Sequence, residues 1–230
     1  RLIDLGVGPD ADAFWFCLKP GARKHDPKFA FVQKPEFRQA ISHAVNREQF
    51  AETVFLGAAV PIWGPITPGN KPWFSPNVPR YPYDPARATQ LLKGIGLEDR
   101  NANGSVEDAK GTEANITVIT QRGNTALERG AAPLRDDLAK VGIVLNIVPL
   151  ELGTMIKQML SSDYEAIYYR FLASVLDPAV NKDLWLSSGS AHVWNLEQKE
   201  PATEWERRID ALEQRQQGTQ RAPRRDEQGC

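Results

Sequence analysis

Apolar positions in this chain change period several times, and each change marks an element. Asp12 to Lys19 reads DAFWFCLK, a weak alternation rich in aromatics, which predicts a strand over 14–18. Residues 19–35 carry Pro20, Gly21, Pro27 and Pro35 and read as a loop. Phe37, Ile41, Ala44 and Val45 then fall on one helical face. Asn46 offers a side-chain acceptor to the next helix start, with Gln49 three residues later as a capping box wants. Ala51, Val54 and Phe55 carry the apolar face onward to Gly57, a left-handed C-terminal cap. Residues 57–83 are dense in Pro, Gly and aromatics and predict an ordered surface excursion. Asp84 with Pro85 starts another helix, buried through Ala88, Leu91 and Leu92 and ended by Gly94 or Gly96.

Beyond a polar stretch at 97–113 the period alternates regularly. Strands are expected at 116–120, 143–148 and 164–169. Between the first two, Leu127, Ala131, Leu134, Leu138 and Val141 form a helical stripe, with Gly130 and Pro133 weakening or kinking its first half. Between the last two, Leu152, Ile156, Met159 and Leu160 form a second stripe. Residues 116–170 thus read β-α-β-α-β, an α/β sheet covered by helices. A short helix is expected near 180–186, and a last one over 201–217, buried through Trp205, Ile209 and Leu212. The polar tail 218–230 has no periodicity and reads as flexible or a remnant, which leaves 1–217 as a single lobe.

Composition changes this picture little. A net charge of −1 gives no broad pull toward nucleic acid or membrane. Two cysteines, Cys17 and Cys230, make no disulfide framework. His25, His43 and His192 lack metal-ligand spacing, and no phosphate loop or G-x-S-x-G occurs, so the chain does not read as an enzyme. Asp99-x-Asn101-x-Asn103-Gly104-Ser105 has the spacing of the first half of a calcium loop. Lys110 stands where a bidentate glutamate is wanted, so the stretch reads as a polar turn, and no metal or cofactor is expected. The start at Arg1, without initiator Met or signal peptide, fits a processed or truncated piece.

The stretch 35–65, PEFRQAISHAVNREQFAETVFLGAAVPIWGP, resembles a signature of the extracytoplasmic solute-binding proteins of ABC importers, in the family that includes dipeptide- and oligopeptide-binding proteins. The pattern R-x-A-[IL]-x-x-A-[IV]-[DN]-R-x-x-[IF] is matched by Arg38, Ala40, Ile41, Ala44, Val45, Asn46, Arg47 and Phe50, with Gly64 and Pro65 closing the loop. Segments 81–85, 138–151, 161–171, 176–195 and 201–216 follow in the family's order, so the resemblance covers about 12–217. It implies a periplasmic-binding-protein-like α/β lobe with a mixed sheet. It implies binding without chemistry: a small solute, peptides among them, held between this lobe and a missing N-terminal one, then delivered to a membrane permease. It implies a periplasmic or extracytoplasmic setting, with or without a lipid anchor through the missing N-terminus. The alternative on the same scaffold is a ligand-sensing or protein-interaction module without transport.

Candidate ligand contacts follow from loops and strand ends. Trp63, Trp185 and Trp194 are large rings in or near loops, where binding residues gather, although loop packing alone also explains them. Tyr169 and Arg170 close a predicted strand, a usual place for contacts in open α/β sheets. The string FLASVLDP at 171–178 stands where peptide-binding members often have W-x-A-D-Y-x-[DE]-P, whose Asp holds the ligand's ammonium. Ser174 takes that Asp's place, which argues against a free-amino peptide unless another residue supplies the charge. Asp177 beside Pro178 is either a contact or, more simply, a helix cap. Cys17 reads as a buried, inert thiol.

Overall fold

The computed structural model describes residues 3, 6–23, 25–171 and 177–221. Four strands, β1 (Ala11–Phe16), β2 (Asn115–Gln121), β3 (Val144–Leu150) and β4 (Ala166–Phe171), form one mixed sheet in the order β1-β4-β2-β3. β2 lies parallel to β3 and to β4, and β1 pairs antiparallel with β4. Two crossovers build the parallel part: α5 (Thr125–Ala139) links β2 to β3, and α6 (Leu152–Leu160) links β3 to β4. The second crossover steps back past β2, so two right-handed connections put their helices on opposite faces.

Side-chain alternation sorts the core accordingly. Ile116, Val118, Leu145, Ala166 and Phe16 face α5 in the main core, while Ile119 and Ile167 face Met155 of α6 in a smaller one. The strand expected at 14–18 is found at Ala11–Phe16, because its register is set by pairing from Ala11 opposite Phe171 to Phe16 opposite Ala166. α5 runs as one helix with Gly130 and Pro133, where weakening or kinking is expected, inside it. Tertiary burial of Leu127, Ala131, Leu134 and Leu138 outweighs the lost backbone bond.

The main core is completed by the helices before β2. They are α1 (Phe29–Val32), a short helix inside the stretch read as loop, α2 (Pro35–Ala44), α3 (Arg47–Phe55) and α4 (Pro85–Gly94). The signature residues have structural tasks here. The Arg38 guanidinium donates to the carbonyls of Val32 and Gln33 (3.0 and 2.7 Å), satisfying the end of α1. Arg47 donates to the carbonyl and hydroxyl of Ser42 (2.7 and 2.8 Å). Asn46 Oδ1 accepts from the Gln49 amide at 3.0 Å, as expected. The reciprocal half of the capping box is different: the Asn46 amide donates to Asp137 Oδ2 on α5 (2.9 Å). Asp84 caps α4 by accepting from the Arg87 amide at 2.8 Å. α3 ends on Leu56 at φ +53°, followed by Gly57 at φ +76°.

After β4 come a 3-10 turn at Pro178–Asn181, α7 (Lys182–Trp185) and α8 (Glu204–Arg221), which extends into the first residues of the expected tail. The stripe expected on α6 is covered only in part, Met159 packing against the smaller core, and the buried face expected on α8 is corrected. On α6, Leu152, Ile156 and Leu160 are exposed and Met155 is the buried residue. On α8, Trp205 and Leu212 are exposed, and it is Glu206 that is buried. The period shows which side chains share a face, not whether anything covers it.

Candidate functional site

A cavity of about 860 Å³ opens along β1, bounded by α2, α3, the 62–65 loop, α7 and the 193–206 region. That size lies in the range of small-molecule sites. Large rings contribute much of its wall: Phe14, Phe16 and Phe50 from the core side, Trp63, Trp185, Trp194 and Trp205 from the loops and helix ends. Three of the expected contacts, Trp63, Trp185 and Trp194, therefore share one wall system. Trp63 is stacked by the Arg47 guanidinium, 4.5 Å from its ring centroid. That contact suits a cation whose pKa burial lowers, because the ring face replaces lost water. Trp185 packs edge-on to Phe171, with ring centroids 5.9 Å apart.

The other expected contacts sit differently. Arg170 bonds through Nε to Asp12 Oδ1 at 3.1 Å, and Asp12 lines the cavity. Tyr169 packs between the two cores rather than on the cavity wall, and its neighbour Tyr168 lines the cavity instead. Asp177 caps the 3-10 turn, its Oδ1 accepting from the Ala179 amide at 2.9 Å. Ser174 lies outside the described residues. Cys17 is buried, and burial pushes its thiol pKa up.

Sequence reasoning missed the polar part of the wall. The Tyr168 hydroxyl donates to Asp12 Oδ2 at 3.0 Å, and burial, then the Asp12 charge, pushes its pKa up, so it stays a donor. At the far end His192 is fully buried, with Nδ1 3.0 Å from the Leu184 carbonyl and Nε2 3.1 Å from Glu206 Oε1. Glu206 Oε2 accepts from the Thr203 amide and hydroxyl (2.8 and 2.9 Å), a capping box whose T-x-x-E signature stood in the sequence. Burial pushes the Glu206 carboxyl up, but the bonds from Thr203 and His192 outweigh it and hold the pKa below the ordinary value. Both carboxylates of the described lining, Asp12 and Glu206, are thus already paired. Among the described residues no group of three His, Cys, Asp or Glu is placed to hold a metal ion.

Gly130 fixes the position of Tyr168. A Cβ there would stand 2.3 Å from the Tyr168 hydroxyl and 2.8 Å from the Phe50 ring. Gly130→Ala is expected to cost about 1–3 kcal/mol of overpacking, reduced by roughly 1 kcal/mol of helix propensity. It would also free Asp12 from its tyrosine donor. A urea unfolding series measures the first effect, and the tyrosine ultraviolet titration the second.

The comparisons place the chain among known proteins. Residues 9–192 match the profile of the bacterial extracellular solute-binding proteins, family 5 middle region. The chain belongs to that family, one of binding proteins rather than enzymes. A dipeptide-binding protein of Pseudomonas aeruginosa is 30% identical over 195 residues, covering 82% of this chain and 33% of that protein. The fold matches the oligopeptide-binding protein AppA of Bacillus subtilis, solved with a nonapeptide, at a TM-score of 0.68 and 21% identity, over 92% of this chain and 42% of that one. It also matches the periplasmic binding protein MelB of Agrobacterium fabrum, solved with stachyose, at a TM-score of 0.73 and 18% identity, over 90% of this chain and 34% of that one. The chain spans about a third of the Pseudomonas protein's length.

Proposed function

We propose that this chain is one lobe of the solute-binding protein of an ABC importer, and that the aromatic cavity is its share of the ligand cleft. The observation that carries this is the convergence of Trp63, Trp185 and Trp194 on one cavity of ligand size. A second lobe closes over the solute by hinge motion, and the closed form is what the permease recognises. The greater length of the relatives supports such a partner lobe. The ligand is a peptide or related small solute, in line with the dipeptide-binding relative and with the nonapeptide and stachyose held by two proteins of this fold.

Charge narrows the class. Asp12 is taken by Arg170 and Tyr168, and Glu206 by His192 and Thr203, so neither is free to hold an ammonium. With serine at position 174, the reading favours solutes bound through apolar or uncharged faces over free-amino peptides. Mass spectrometry of solutes released by denaturation from the two-lobe protein tests this, with the present chain as control. A discrete solute from the former alone supports the reading, and an empty two-lobe protein overturns it. Trp63→Ala in that protein is expected to weaken the solute by about 2 kcal/mol, some thirtyfold, by titration calorimetry. Unchanged affinity would move the site away from this wall.

A further inference from the structure

We infer that the cavity takes a solute carrying an anionic group such as a carboxylate, and that Arg38 and Arg47 hold that group. This rests on the reading of the cavity as the ligand cleft and sharpens it. Among the described residues the charged side chains of the lining are Asp12, Glu206, Arg38 and Arg47. The two carboxylates are already taken, Asp12 by Arg170 and Glu206 by His192 and Thr203. The two arginines bond neutral acceptors instead: the carbonyls of Val32 and Gln33 for Arg38, the carbonyl and hydroxyl of Ser42 for Arg47. Such acceptors satisfy N–H groups but cancel no charge. Burial pushes the pKa of both guanidinium groups down, opposed at Arg38 by Glu36 and at Arg47 by no acidic group. Asp137, the carboxylate that meets the start of α3, is spent on the Asn46 amide and on Lys140 (2.9 and 2.7 Å). A guanidinium stays charged through such burial, so an anion that meets it gains what a counter-ion would.

The two cations meet the cavity at one corner. Arg38 and Ser42 stand four residues apart on α2, neighbours on one helical face. Arg47 opens α3 and reaches back to Ser42, and all three line the cavity. The stacking of Arg47 on Trp63 holds its planar fork in place. A fixed fork suits a carboxylate, which can take two parallel bonds from it. The apolar or uncharged body of the solute then lies against the rings of the remaining wall. The same two cations repel an ammonium, in accord with serine at position 174.

Benzoate and benzamide share ring and shape and differ in charge, so they serve as probes. Each is titrated into the isotopically labelled chain while NMR follows the Trp63 indole N–H and the Arg47 side-chain N–H. The expected result is saturating shifts of both signals with benzoate, at an affinity about tenfold above that of benzamide. Arg47→Gln keeps hydrogen-bond donors and removes the charge, and should bring the two affinities within about twofold of each other. If that variant does not fold, Arg38→Gln carries the same expectation. Equal affinities of the two probes at the Trp63 wall leave the cleft in place and overturn the anion preference. Benzoate binding that shifts neither Trp63 nor Arg47, or a benzoate preference undiminished in the folded variant, overturns it as well. If neither probe reaches the Trp63 wall, the cleft reading falls and this inference with it.

Discussion

Phe37→Ala is expected to lower the unfolding free energy by about 3–5 kcal/mol. The ring is fully buried, tilted against Phe31 with centroids 5.2 Å apart and edge-on to Phe16 at 6.0 Å. It ties three elements together, α1, α2 and β1. A chain of this length loses about 2–4 °C of melting temperature per kcal/mol, so the midpoint should fall by roughly 6–20 °C. The consequence reaches the cavity, because α2 also carries Arg38, Ile41 and Ser42 to its wall. Chemical denaturation should show a lower midpoint with unchanged slope. A loss below about 1 kcal/mol would mean that the site collapses, and that the three elements are held by other contacts.

Much of this architecture is legible in the sequence because local signals agree. Asn46 and Asp84 announce helix starts, Leu127 to Leu138 repeat at helical spacing, and the strands between them are β-branched. Such agreement across levels makes the β-α-β-α-β reading of 116–170 secure. What stays hidden depends on partners distant in sequence. β1 takes its register from β4, which lies some 155 residues on. α1 is four residues long without a side-chain cap, too short to leave a period. The stripe on α6 is real, yet Leu152, Ile156 and Leu160 lie on the side away from Ile119 and Ile167.

The cavity divides in the same way. Its tryptophans stand out as large rings in loops, so Trp63, Trp185 and Trp194 could be chosen one by one. Their convergence could not be seen, since it depends on where the 62–65 loop and α7 fold back over β1. Tyr168 and Tyr169 show the limit of strand-end reasoning. Adjacent residues point to opposite faces, so Tyr168, buried in the main core, reaches the cavity wall and Tyr169 does not. Asp12 carries little local signal, and gains its role only when β4 brings Arg170 and Tyr168 beside it. Arg38 and Arg47 illustrate the opposite case. They define the signature, and the structure gives them carbonyl-bonding tasks at helix ends as well as places on the cavity wall.

Glu206→Ala is expected to cost about 3–5 kcal/mol, although the position sits on a helix whose neighbours Trp205 and Leu212 are exposed. Two donors lose their acceptor at once, the Thr203 amide and the Thr203 hydroxyl, and Nε2 of the fully buried His192 loses its partner. The imidazole is packed against Trp194, centroids 4.3 Å apart, so water does not reach it easily. The pH dependence follows from the direction of the glutamate's shift. Its folded pKa is depressed below the ordinary 4.5, so its contribution is complete above that value and fades as pH falls through the lower folded one. Glu206→Gln keeps an oxygen acceptor but cannot titrate, and should flatten this part of the acid limb below about pH 4.5. Thermal unfolding of both variants and the parent between pH 3 and 7 measures the two effects together. An acid limb unchanged in the glutamine variant would show that other carboxylates set it. Since Thr203, Trp194 and Trp205 line the cavity beside Glu206, loosening the capping box should also widen the wall and weaken whatever solute it holds.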